Sequence, residues 1–105
     1  MSSGIKDDYF KELEYVMTNL NETNLDFGSA LRILQGRDRV ARAGWNGKGM
    51  YLELVGSEDY NVDPAIWDGQ GLPWIGMKTA DNKFVPWLAS QTDILATDWC
   101  HVPRK

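Results

Sequence analysis

The segment RVARAGWNGKGMYLELV, residues 39–55, decides how this 105-residue chain is read. RVARA and MYLELV alternate apolar and polar residues with the period of two that lets a strand turn one face to a core. Between them, GWNGKG contains Asn46 and Gly47, a pair that tolerates positive φ at both positions and so predicts a tight hairpin turn. Trp45 does not suit such a turn, where small polar residues are usual. Either its ring folds back onto the sheet as a core or interface group, or it offers a flat face to a ligand.

A second hairpin is expected from IGMKT and FVPWL around the turn ADNK, with Pro86, which has no N–H to donate, placing its strand at an edge or ending it. WCHV reads as a final strand. FGSALRILQ puts Phe27, Ala30, Leu31 and Leu34 on one helical face, with Asp26 as N-cap and Gly36 as a left-handed C-cap. SQTDILATD predicts a short helix capped by Ser90 or Thr92, with Asp93 in its first turn. The expected class is α+β: a small antiparallel sheet of two hairpins plus a C-terminal strand, with short packed helices.

Ahead of this unit, IKDDYFKELEYVMTNL spaces Tyr9, Leu13, Val16, Met17 and Leu20 as an amphipathic helix, and the turn formers of NETNLD follow it. Residues 1–24 are therefore expected to be an extra N-terminal helix with its linker, and residues 25–105 the main domain. Residues 56–74 form a long excursion carrying Tyr60, Ile66, Trp67 and Trp74.

Five Trp, four Tyr and three Phe are many rings for a chain that buries only about two thirds of its unfolded surface, so some are expected to face a partner subunit or a ligand. The net charge of −4 argues against a partner such as nucleic acid polymer. Within that average, residues 32–48 hold Arg32, Arg37, Arg39, Arg42 and Lys48 against Asp38 alone. Such a patch fits a small anionic ligand; it equally describes solvated charges of a helix end and a strand face. No apolar run approaches the roughly 18 residues that span a bilayer, and the first residues lack a signal-peptide pattern, so no membrane association and a cytoplasmic location are expected. The single Cys100 and the lack of a Cys/His cluster predict neither a disulfide nor a metal, and no cofactor is implied.

The residues offer catalysis little. Cys100 and His101 are neighbours on a strand, so their side chains point to opposite faces and form no dyad. GWNGKGM has no Ser or Thr after its lysine and opens a strand, so it is not a phosphate loop. Binding has more to work with: Trp45 as a base platform, Asn46 as an amide donor and acceptor, Gly47 for close backbone approach, and Lys48 with Arg42 for a phosphate. The hydroxyls, amide and carboxylate of WLASQTD either line a polar pocket or cap the helix that follows.

Two of these stretches, RVARAGWNGKGMYLELV and MKTADNKFVPWLASQTDILATDW, together with LDFGSALRILQGRDRV, resemble the Thoeris anti-defence two family of phages and prophages over residues 25–102. That resemblance implies a sponge rather than an enzyme. Members sequester the cyclic ADP-ribose isomers made by Thoeris TIR-domain proteins, and some take cyclic dinucleotides. It also implies a homo-oligomer, commonly a tetramer, with ligand held between protomers in the cytoplasm of the infected bacterial host. Carried over by motif, Trp45 would stack on adenine with Asn46, Gly47 and Lys48 nearby, Ala89, Ser90, Gln91, Thr92 and Asp93 would form the polar segment, and Phe27 occupies the FG pair. Asn82 replaces the usual glycine of the second hairpin turn, a mild departure because Asn tolerates the left-handed conformation expected there, and Thr97 stands where an acid is common. Two alternatives remain: hydrolysis of the nucleotide with Asp93 or Asp98 as general base, and inhibition of a host defence protein bound through exposed aromatics.

Overall fold

A computed structural model describes residues 22–45 and 47–104. The amphipathic helix expected before residue 22 and the side chain of Asn46 lie outside the described residues. In chain order the elements are α1 (Phe27–Gln35), β1 (Arg39–Arg42), β2 (Tyr51–Val55), a 3-10 turn (Ser57–Asp59), β3 (Trp74–Lys78), β4 (Phe84–Pro86), α2 (Gln91–Ile94) and β5 (Trp99–Val102). All strand pairs are antiparallel and the spatial order is β4-β3-β2-β1-β5. The α+β class, both hairpins and the closing strand are therefore present.

The register explains which side becomes the core. His101 pairs with Val40, Val40 with Leu52, Leu52 with Met77 and Met77 with Val85, so one row of side chains crosses all five strands on the same face. Helix α1 packs on that face through Ala30 and Leu34, which are fully buried with Val40, Leu52 and Trp99. Phe27, Ile33, Trp45, Ile75, Met77 and Trp87 surround this core at partial burial. The opposite face bears Arg39, Tyr51, Glu53, Trp74, Lys78 and Phe84. It is held by side-chain pairing: Arg39 stacks 4.4 Å over the Tyr51 ring and bonds Glu53, which also takes Arg104.

Three local expectations shift. Gly36 was expected to take the left-handed position after α1, yet its φ is −80° and Arg37 takes it instead, at +69°. The amide of Arg37 bonds the Leu34 carbonyl and that of Asp38 bonds the Ile33 carbonyl, so a Schellman closure forms one residue later than the glycine suggests. Arg37 tolerates that backbone while its guanidinium reaches Asp59 at 2.6 Å. The first hairpin is longer than a tight two-residue turn: residues 43–50 separate its strands, and among the described residues of that connection the positive φ belongs to Gly49, at +76°. Third, Trp74 belongs to β3 rather than to the excursion.

Other expectations hold. Asn82 takes the left-handed conformation at φ +64°, as an amide side chain permits, and Pro86 ends the edge strand β4. Asp26 accepts the Ser29 amide at 2.8 Å and Ser90 accepts that of Asp93 at 3.1 Å, so both predicted helix starts are capped. The chain joins the sheet ahead of α1: Leu25 bridges Trp99, and the Glu22 carbonyl accepts the His101 amide. The excursion is mostly exposed; Tyr60 anchors it by donating to the Leu72 carbonyl at 2.7 Å and packing edge-on against Trp74. Among the described residues no helix is long and apolar enough to cross a membrane.

Since Leu34 is fully buried and Leu88 is 91% exposed, truncating each to alanine separates core from surface. Leu34→Ala is expected to cost about 2–5 kcal/mol in urea denaturation at fixed protein concentration, and Leu88→Ala within about 0.5 kcal/mol. Equal midpoints for the two variants would place the core elsewhere.

Candidate functional site

The connection from β4 to β5 determines where the candidate residues meet. Those strands are opposite edges of the sheet, four strand spacings or roughly 19 Å apart, so residues 87–98 must cross the whole sheet. They cross on the face carrying α1, because Trp87 lies 6.2 Å from Phe27 and 6.0 Å from Trp99 by ring centroid. The crossing thus brings the polar segment 89–93 to the side of the sheet where the first hairpin connection folds back.

Trp99 is the centre of the resulting cluster. Its fully buried ring has Phe27 at 5.5 Å, Trp45 at 5.6 Å with planes at 79°, and Trp87 near perpendicular. These tilted and edge-to-face contacts suit the ring quadrupoles. The Trp99 indole N–H donates to the Asp93 carbonyl at 2.9 Å, which satisfies the one polar atom that burial would otherwise strand. Trp45 is therefore neither a free tip nor a fully enclosed core ring. It is half-buried, with Trp99 against it and no other described ring paired with it.

Beside this cluster lies an ion group. Arg42 donates from Nε to Asp98 Oδ1 at 2.8 Å and from Nη1 to Asp93 Oδ1 at 2.9 Å. Asp98 Oδ2 accepts the Gly44 amide at 2.9 Å. Asp93 Oδ2 closes a capping box with the amide and hydroxyl of Ser90. The Arg42 guanidinium, then the Gly44 amide, hold the Asp98 carboxyl below the ordinary carboxylate range against the opposing effect of burial. Burial is the largest influence on Asp93 and would raise it, but the Ser90 amide and Arg42 together bring it below that range as well. Arg42 is raised in turn, first by Asp98 and then by Asp93.

Of the residues singled out by sequence, Phe27 and Trp45 meet around Trp99, while Arg42, Ser90 and Asp93 meet in the ion group. The Arg42 guanidinium is engaged by two carboxylates, and Ser90 is occupied as a cap. Gly47 is half-buried between Met50 and Ala80. Lys48 is exposed and forms no hydrogen bond or ion pair with the described residues. Ala89 is half-buried, and Gln91 and Thr92 are exposed on α2. Trp87 and Trp99 complete the arrangement and were not picked out by sequence, while Asp98, singled out there as a candidate general base, joins the ion group. Trp99 had one legible signal, since a large ring at the start of the alternating WCHV is placed to face a core.

Two comparisons with known proteins bear on this arrangement. The family model described as the Thoeris anti-defense 2-like domain matches residues 25–102, the span from the bridge at Leu25 to the end of β5. The protein "Thoeris anti-defense 2" of Bacillus phage SP01 is 43% identical over 84 residues, covering 74% of this chain and 94% of that protein. On both counts the chain belongs to the Thoeris anti-defense 2-like family.

Proposed function

We propose that this protein is an anti-defence sponge, which binds a cyclic nucleotide signal of the cyclic ADP-ribose class and keeps it, intact, from a bacterial defence effector. The observation that carries this reading is the half-buried Trp45, fixed from one side by Trp99 and one short step along the connection from the uncommitted cation Lys48. A purine stacked on Trp45 would gain about 1–3 kcal/mol, and a charge-assisted bond from Lys48 to a phosphate a further 1.5–3 kcal/mol or so. Family membership supports the anti-defence role, and the name of the phage SP01 relative points to the same defence system.

Chemistry favours retention over hydrolysis. A general base working at neutral pH needs a pKa near 7, whereas Asp93 and Asp98 are both displaced downward and have their lone pairs engaged by Arg42, Ser90 and the Gly44 amide. Cys100 and His101 give no dyad, because Cys100 Sγ faces the Ala41 carbonyl and His101 Nε2 meets Asp38 at 2.6 Å on the opposite side of the sheet.

A sponge must bind below the working signal concentration, and a nanomolar Kd corresponds to about −12 kcal/mol. Stacking and one lysine fall short of that, so the remainder is assigned to enclosure between subunits of a homo-oligomer, taken to be a tetramer. Apolar surface left on one chain supports self-association: Ile66, Leu72, Leu88 and Leu95 are each more than 70% exposed.

The decisive experiment mixes the purified protein with cyclic ADP-ribose isomers and cyclic dinucleotides, filters, heats the retained protein and identifies what it releases by mass spectrometry. Intact recovery is the expected result; altered products would establish an enzyme, and no uptake would leave a host protein as the target. By calorimetry, Trp45→Ala is expected to lose about tenfold or more in affinity with its sedimentation mass unchanged. Lys48→Ala should lose about 1.5–3 kcal/mol and flatten the salt dependence of binding. An unaltered Trp45→Ala isotherm would remove the platform assignment.

A further inference from the structure

We propose that Asp98 is a positioning residue for the candidate site: its carboxylate, shared between the Arg42 guanidinium and the Gly44 amide, sets the pose of the connection that presents Trp45 and Lys48. The proposal rests on the binding role given above to those two residues, and it assigns Arg42 to the scaffold instead of to a ligand phosphate.

The geometry runs through four consecutive residues. Asp98 takes Arg42 Nε on Oδ1, the Gly44 amide on Oδ2, and the Ala43 amide on its backbone carbonyl at 3.0 Å. The Trp45 amide then bonds back to the Arg42 carbonyl at 3.2 Å. Every N–H from Ala43 to Trp45 is thereby committed, and two of the three go to Asp98. The next residue, Trp99, opens β5 and sets its ring against Trp45, so two consecutive residues at the start of that strand hold neighbours in the connection. The approach is close: a Cβ at position 44 would lie 3.0 Å from Asp98 Oδ2, and the carboxylate would have to give way by a few tenths of an ångström. At the far end of the same connection, Lys78 Nζ donates to the Gly49 carbonyl at 3.1 Å, so both ends are fastened from the sheet.

Charge gives the same assignment. One guanidinium shared by two carboxylates leaves the group with a net charge of −1, which repels an incoming phosphate at Arg42 and leaves Lys48 to meet it. The other arm of Arg42 reaches the carboxylate that caps α2, so a movement at Asp98 is felt at segment 90–93 as well as at Trp45. The two halves of the candidate site are coupled through a single side chain.

The test uses the full chain as Asp98→Ala and, as the milder change, Asp98→Asn. At neutral pH, amide hydrogen exchange at Gly44 is expected to be about tenfold faster in Asp98→Ala, with Val40 and Leu52 of the sheet unchanged. The Trp45 indole N–H resonance should move in both variants. Affinity for a cyclic ADP-ribose isomer retained by the wild type should fall about tenfold, at unchanged sedimentation mass. Loss of protection at Val40 and Leu52 in Asp98→Asn would show a general stabilising role and overturn the assignment. So would undiminished affinity in both variants, or an unmoved Trp45 indole. If the wild type retains no cyclic nucleotide, the functional reading fails, and exchange at Gly44 with the Trp45 resonance still decides whether Asp98 sets the pose of the connection.

Discussion

The buried indole of Trp99 is the contact on which the rest of the arrangement depends. It stands at the start of the last strand, and its ring touches Phe27 from the first helix, Trp45 from the first hairpin connection and Trp87 from the crossing segment. Its backbone pairs with Leu25 in both directions, closing the sheet against the chain that precedes α1. A fully buried tryptophan gains from apolar burial only if its N–H is satisfied, and here the acceptor is the Asp93 carbonyl at the end of the capping box. Core packing and the pose of the polar segment are thus fixed by one residue. Replacement by a smaller ring would disturb both together.

Next to that ring, charge is arranged to stiffen rather than to react. Arg42 is a planar fork held by two carboxylates from different parts of the crossing segment, a geometry that a lysine cannot reproduce. Because both acids are displaced downward, their contribution to stability is present above the ordinary carboxylate range near pH 3.9 and is lost as pH falls through their folded values. At neutral pH all three groups are ionised. A site built this way presents a fixed shape, and preorganisation lowers the ordering cost of binding a compact ligand.

Legibility in the sequence followed the range of the interactions. Caps at Asp26 and Ser90, the left-handed Asn82, the edge proline and the alternating strands are local, each decided by residues a few positions apart, and each appears where it was expected. The register of the hydrophobic row was implicit in the same alternation. What failed were glycine rules applied without their surroundings. Gly36 yields the left-handed position to Arg37, which an ion pair to Asp59 accompanies, and the Asn46-Gly47 signal gives way to a longer connection in which Asp98 holds Ala43 and Gly44, Trp99 holds Trp45 and Lys78 holds Gly49. The union of Arg42 with Asp93 and Asp98 spans 51 and 56 residues and depends on the crossing direction of the chain, which no local pattern encodes.

That distinction bears on how the same residues are to be understood chemically. Read from the sequence, Arg42 is a candidate phosphate ligand and Asp98, like Asp93, a candidate base; placed in the fold, they pair with one another. A free arginine would attract an anion from solvent, but one already satisfied by two carboxylates offers it no unmatched charge. An aspartate bonded to a guanidinium and an amide has no driving force to take a proton at pH 7. Among the described residues of the first hairpin connection, Lys48 stays exposed and without an ion pair, three positions along the chain from Trp45, whose ring is held from one side by Trp99.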